Sequence, residues 1–121
     1  MNTLEVGKAI TSLLEGVQAF GLLAPRGTTG AFLVYQLTGL QPASSKDRYN
    51  FRERAMVDIT TVASSYRESV ELAQRVRETL EPFEGEVGGL DIGDISLKNA
   101  RTSTAEGNLY LHILTYQITL I

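Results

Sequence analysis

The thirteen residues Leu109-Tyr-Leu-His-Ile-Leu-Thr-Tyr-Gln-Ile-Thr-Leu-Ile121 decide how the rest of the chain is read. In an extended strand, side chains alternate between two faces, so a strand with one wet face shows polar residues at every second position. Here one face carries Leu109, Leu111, Ile113 and Thr115, and the other carries Tyr110, Leu114, Tyr116, Ile118 and Leu120. Both faces are largely apolar. The pattern predicts a central strand covered on both sides, or one buried against another subunit.

Working back from this strand, Asn99–Asn108 is polar and reads as a loop. Leu90–Leu97 reads as a strand whose apolar phase shifts at Gly93-Asp94, the mark of a β-bulge. Ser65–Leu80 is an amphipathic helix. Tyr66, Val70, Ala73, Val76 and Leu80 recur at helical spacing, while Arg67, Glu71, Gln74, Arg75, Glu78 and Glu81 form a solvated face. Ser65 with Glu68 has the capping-box spacing. Pro82 stops this helix, and Gly85, Gly88 and Gly89 read as a flexible exit.

Asn50–Val62 alternates cleanly: Phe51, Ala55, Val57 and Ile59 point one way, and Arg52, Arg54, Asp58 and Thr60 the other. Ala31–Thr38 is a β-branched and aromatic run ending at Gly39. Between these strands lies the polar stretch Gln41–Tyr49, giving a hairpin with a protruding loop around 40–54. Phe20–Gly30, with Pro25, Gly27 and Gly30, reads as a connector. The first segment is helical, with Val6, Ile10, Leu13, Leu14 and Val17 on one face and an Asn2/Glu5 capping box. Gly7 and Gly16 weaken that helix by about 1 kcal/mol each, so packing must hold it. The order is α-β-β-α-β-β. It predicts an α+β fold, an antiparallel four-stranded sheet with two helices packed on one face, in a single domain over 1–121.

Composition narrows the functions. The chain has 121 residues, no cysteine, one histidine and a net charge of −3. Thiolate zinc sites, disulfides, cysteine nucleophiles and multi-His metal sites are excluded. The overall charge lacks the basic footprint of a duplex binder. No basic, apolar leader opens the sequence and no apolar run approaches the ~20 residues of a membrane span, which predicts a soluble intracellular product. Charge is nonetheless uneven. Gln41–Arg54 holds four basic residues (Lys46, Arg48, Arg52, Arg54) against two acidic ones, whereas Asp58–Glu86 holds seven acidic residues against three arginines.

Candidate chemistry is sparse. His112 lies mid-strand without a local partner to orient it as a base, and reads as structural. Asp91 and Asp94 flank the bulge without the calcium-loop pattern, and read as turn chemistry. Gly27-Thr28-Thr29-Gly30 precedes a strand and lacks the lysine of a P-loop. The basic hairpin, with Lys46, Arg48, Tyr49, Arg52 and Arg54, is the main polar feature; it reads as a solvated loop, an arm for an acidic protein surface, or a weak nucleic-acid contact. With Tyr110 and Tyr116 of the last strand, these residues are the predicted subunit or partner interface. No catalytic, cofactor or metal residue is predicted.

The chain also shows a colinear pattern. An N-terminal helix is followed by a Gly-rich connector, the aromatic strand Phe32-Leu-Val-Tyr-Gln-Leu37 and a polar loop. Next come a strand ending Val57-Asp-Ile59, the helix Ser65-Tyr-Arg-Glu-Ser-Val-Glu-Leu-Ala-Gln-Arg-Val-Arg-Glu-Thr-Leu80, a Gly-rich exit and two closing strands. In this order it resembles the small tail-completion, or tail-terminator, proteins of long-tailed bacteriophages and prophages. The resemblance covers nearly the whole chain and rests on order and lengths rather than on one motif. Where family members often place a proline before the aromatic strand, this chain has Gly30-Ala31.

The resemblance implies a structural virion protein without enzymatic activity or cofactor. It implies a sixfold ring of identical subunits at the head-proximal end of the tail, assembled in the bacterial host cytoplasm. The implied partners are further copies of itself, the tail tube protein and the head–tail connector protein. No membrane and no sequence-specific nucleic acid is implied, and a negative net charge suits a conduit through which DNA passes. Two other classes are kept: another head–tail neck component, and a small ligand-binding or enzymatic domain, which would show a pocket converging on His112 or on Asp91 and Asp94.

Overall fold

The computed structural model describes residues 3–42 and 53–121. A 3-10 turn, Thr3–Glu5, leads into α1 (Val6–Leu13), and β1 (Ala19–Gly21), β2 (Phe32–Gln41) and β3 (Glu53–Ala63) follow. Then come α2 (Tyr66–Leu80), β4 (Gly85–Val87), β5 (Leu90–Ala105) and β6 (Leu109–Leu120). The strands form one curled, six-stranded sheet in the order β1-β2-β3-β6-β5-β4.

This corrects the expected four-stranded antiparallel sheet. The sheet is mixed, because β1 runs parallel to β2 with Ala19, Phe20 and Gly21 beside Leu33, Val34 and Tyr35. The two added strands are three residues long, too short to carry a period. They lie in the segments read as a connector and as a flexible exit. In the exit, Gly88 and Gly89 have φ +59° and +79°, the two consecutive positive values that a primed two-residue hairpin turn needs. They close β4 onto β5 with Val87 opposite Leu90. The predicted loop Asn99–Asn108 is also mostly strand: β5 continues to Ala105, and a turn of Glu106, Gly107 and Asn108 joins it to β6. Gly107 and Asn108 there take φ +82° and +58°.

β6 is central, but it is not covered on both sides: the helices pack on the face of Leu114, Tyr116, Ile118 and Leu120, and Leu109, Leu111 and Ile113 on the other face stay half-buried. It pairs with β3 along Tyr110–Leu120 and with β5 along Leu109–Leu120. The register shift expected near Gly93 lies between Ile92 and Asp94, and a second lies between Leu97 and Asn99.

One sheet face carries both helices. Leu33, Ala55, Val57, Ile59, Leu114, Tyr116, Ile118 and Leu120 point into it and are buried with Val6, Ala9 and Ile10 of α1, Leu14 just after it, and Ala73, Val76 and Leu80 from α2. α2 starts on a true cap: the Ser65 hydroxyl accepts the Glu68 backbone N–H at 3.2 Å. α1 has no side-chain cap at Glu5, and Asn2 lies outside the described residues. α1 ends at Leu13, short of the predicted Val17, and Gly16 takes φ +89° just beyond it.

Two close approaches seat α1. A Cβ on Gly7 would lie 2.5 Å from Cε2 of Tyr35 in β2, and a Cβ on Gly88 would lie 2.9 Å from the backbone nitrogen of Ala9. The helix therefore bridges from β2 to the β4–β5 turn.

Candidate interaction surfaces

Of the polar stretches singled out by sequence, His112 and the segment around Gly27–Gly30 are engaged within the fold. His112 Nδ1 lies 3.3 Å from the Thr102 hydroxyl, and its Nε2 is buried without a hydrogen-bond partner. Its ring lies against Tyr66, with centroids 6.1 Å apart. A base needs an oriented partner, and no carboxylate bonds to this ring among the described residues. Asp91 and Asp94 are exposed, and the Asp91 carbonyl accepts the backbone N–H of Ile121 at 2.9 Å. Among the described residues no group of three or more His, Asp or Glu side chains could hold a metal ion. The segment around Gly27–Gly30 is held by local bonds: a turn over Pro25–Thr28 has the Thr28 hydroxyl and N–H both donating to the Pro25 carbonyl, and the Gln18 amide donates to the carbonyls of Thr29 and Ala31.

Of the predicted interface residues, Lys46, Arg48, Tyr49 and Arg52 lie outside the described residues. Arg54 is exposed on β3, on the face away from the helices, between Gln41 and Thr119. Tyr110 is half-buried, edge-on to Tyr66 at 6.1 Å. Tyr116 is 0% exposed and has no surface to offer a partner. Its hydroxyl donates to Glu81 Oε2 at 3.2 Å, and the same carboxylate holds the Arg77 guanidinium at 2.8 Å. Burial, then the charge of Glu81 and its hydrogen bond, push the Tyr116 phenol well above its ordinary value. The hydrogen bond to Glu81, then its charge, raises Arg77. This network ties the end of α2 to the centre of the sheet.

Sequence reasoning marked the apolar face of Leu111 and Ile113, but it missed the other features that are open to a partner. The helix-free face of the sheet carries half-buried Phe32, Val34, Leu111 and Ile113, with Phe20 edge-on to Phe32 at 6.2 Å. Leu4, Leu22 and Leu23 are 68%, 66% and 82% exposed. Leu22 is held at φ +66°, a conformation rare for a bulky side chain. Leu4 and Leu22 flank a groove of about 430 Å³ floored by Tyr35, Leu37 and Val57, between the N-terminal end of α1 and the edge of β2. No signal in periodicity marks such a groove, because it depends on which strand ends at the sheet edge.

No family model matches the chain, and no curated protein matches it in sequence. Among solved structures, it is similar to a chain of one described as the virion of a native gene transfer agent particle. The TM-score is 0.66 at 13% identity, over 97% of this chain and 87% of the other. The two chains share a fold.

Proposed function

We propose that this chain is a structural subunit of a phage-like virion, and that it acts at the head-proximal end of a tail. In this reading copies close into a ring that caps the polymerised tube and joins it to the head connector. The observation that carries the reading is the likeness of fold to a virion chain over nearly its whole length. The surface supports it: apolar side chains remain on an open sheet face and a sheet edge.

The mechanism follows from interface symmetry. A head-to-tail contact between identical subunits closes into a ring when its rotation divides a full turn, and otherwise grows into a filament. A ring that matches the last tube layer on one side only ends addition there. The chain then works as a single domain without catalysis. Lys46, Arg48, Tyr49, Arg52 and Arg54 are its contact to neighbours or tube. A role as another neck component rests on the same likeness, since fold alone does not fix position in a particle.

Deleting the gene in a host that produces the particles tests this. The expected result is heads without tails beside free tubes of uncontrolled length in electron micrographs, restored by the intact gene and not by the Arg48→Glu/Arg52→Glu variant. Particles with normal attached tails would overturn it.

A further inference from the structure

We propose that a second copy of this chain docks on the open edge of β2, strand to strand and antiparallel, about a two-fold axis between Thr38 and Gly39. β1 covers only Leu33–Tyr35 of β2. From Gln36 to Gln41 the strand has β3 on one side and, among the described residues, no strand on the other. Its outward backbone groups are a template for another strand.

Proteins usually blunt such edges with charge, proline or bulges. The other long open edge, Asp94–Ala105 of β5, is blunted in this way. It carries the charges of Asp94, Lys98 and Arg101, and it is this charge, not the register shifts found in both strands, that separates it from the β2 edge. The β2 edge carries no charged residue from Gln36 to Gln41, and it stops at Pro42, which has no N–H to donate.

The edge reads Gln36-Leu-Thr-Gly-Leu-Gln41, the same in both directions apart from its centre. Antiparallel self-pairing sets Gln36 against Gln41, Leu37 against Leu40 and Thr38 against Gly39 of the other copy. Paired residues must share a face, and the irregularity at Thr38 meets that condition. Leu37 lies opposite Val57 and Leu40 opposite Ala55, both on the helix face; Gln36 lies opposite Asp58 and Gln41 opposite Arg54, both on the other. Without the extra residue, Leu37 and Leu40 would point to opposite faces.

The groove beside Leu37 supplies a receptor. Leu40 is 39% exposed in the single chain and, in this pairing, comes opposite Leu37 of the second copy, next to the groove lined by Leu4, Leu22 and Tyr35. Each copy gives one leucine and receives one, as an isologous contact requires. This pairing concerns the free protein; it is two-fold and so separate from the head-to-tail ring contact.

The chain has no cysteine, so introduced ones report cleanly. Thr38→Cys lies half a residue from the axis, so the two copies of this position are about 4.8 Å apart across the strands and about 3.3 Å along them, roughly 6 Å in all, which is within disulfide reach. Under mild oxidation it is expected to give a covalent dimer in preference to Ser103→Cys on the β5 edge. Leu40→Lys replaces a surface residue, and is expected to keep the melting temperature while raising the dimer midpoint in sedimentation by about tenfold or more. Linkage at Thr38→Cys no faster than at Ser103→Cys overturns the proposal. So does a wild-type chain that stays monomeric up to its solubility limit, or that forms only species which Leu40→Lys leaves unchanged. A ring seen alongside those failures would leave the tail reading standing.

Discussion

Replacing Gly88 by alanine tests whether α1 rests on the β4–β5 turn. Gly88 and its neighbour Gly89 both have positive φ, at +59° and +79°. A side chain in that region costs about 1–2 kcal/mol at either position. Only Gly88 faces an obstacle. Its Cβ would lie 2.9 Å from the backbone nitrogen and 3.0 Å from Cα of Ala9, whereas Gly89 has nothing within 4 Å. Ala9 is 0% exposed, and a helix backbone cannot rotate away as a side-chain tip can. Overpacking of this kind costs about 1–3 kcal/mol more. Gly89→Ala is therefore expected to lose about 1–2 kcal/mol and Gly88→Ala about 2–5. For a chain of this size about 4 °C of melting temperature accompanies each kcal/mol, so the two variants should differ by about 4–12 °C. Thermal unfolding followed by far-UV circular dichroism reads the difference. Gly107→Ala, at φ +82° with open space around it, should behave like Gly89→Ala. Equal shifts for Gly88 and Gly89 would refute the contact.

Three further outcomes follow from the packing. Tyr116→Phe should cost about 1 kcal/mol near neutral pH for the lost bond to Glu81. Because the folded phenol is raised, its contribution is complete below the ordinary tyrosine pKa of about 10 and is lost as pH climbs past it; urea titrations should therefore show the Phe variant losing less stability in that window, and parallel curves would refute the shift. Ser65→Ala should cost about 1 kcal/mol by removing the α2 cap, and an unchanged urea midpoint would count against it. Gly7→Ala gains about 1 kcal/mol of helix propensity but drives a Cβ into the Tyr35 ring, so it should destabilise the wild type and stabilise a Tyr35→Leu background. A double-mutant cycle in denaturant with no coupling would show that the ring is not the obstacle.

What could be read from the sequence was periodic, and what escaped it was local or relational. Thirteen residues with two apolar faces placed β6 at the centre, and the alternation of Ala55, Val57 and Ile59 picked out the buried side of β3. The phase change at Gly93 marked a real irregularity. β1 and β4 escaped because three residues hold no period. Gly88-Gly89 was read as a breaker, although two glycines in a row also satisfy a primed hairpin turn. The stretch from Asn99 to Ala105 was read as loop because it is polar, yet its partner β6 holds it extended; strand formation depends on such neighbours more than on intrinsic preference. For the candidate surfaces, nothing in the pattern said which face of β6 the helices would cover. Tyr116 therefore looked available and is buried, and the near-palindrome at Gln36–Gln41 gains meaning only once β2 is known to border the sheet.

The central place of β6 has a consequence during synthesis. β3 and β5 precede it along the chain, yet neither is paired with the other; each waits for β6. A nascent chain can close the β2–β3 and β4–β5 hairpins as they emerge, but the two halves have no seam until residues 109–120 clear the ribosome. Until then Val57 and Ile59 lie on an unpaired strand border, the kind of surface that chaperones and proteases recognise. The ribosome therefore releases this core in one step, when β6 emerges, and not hairpin by hairpin.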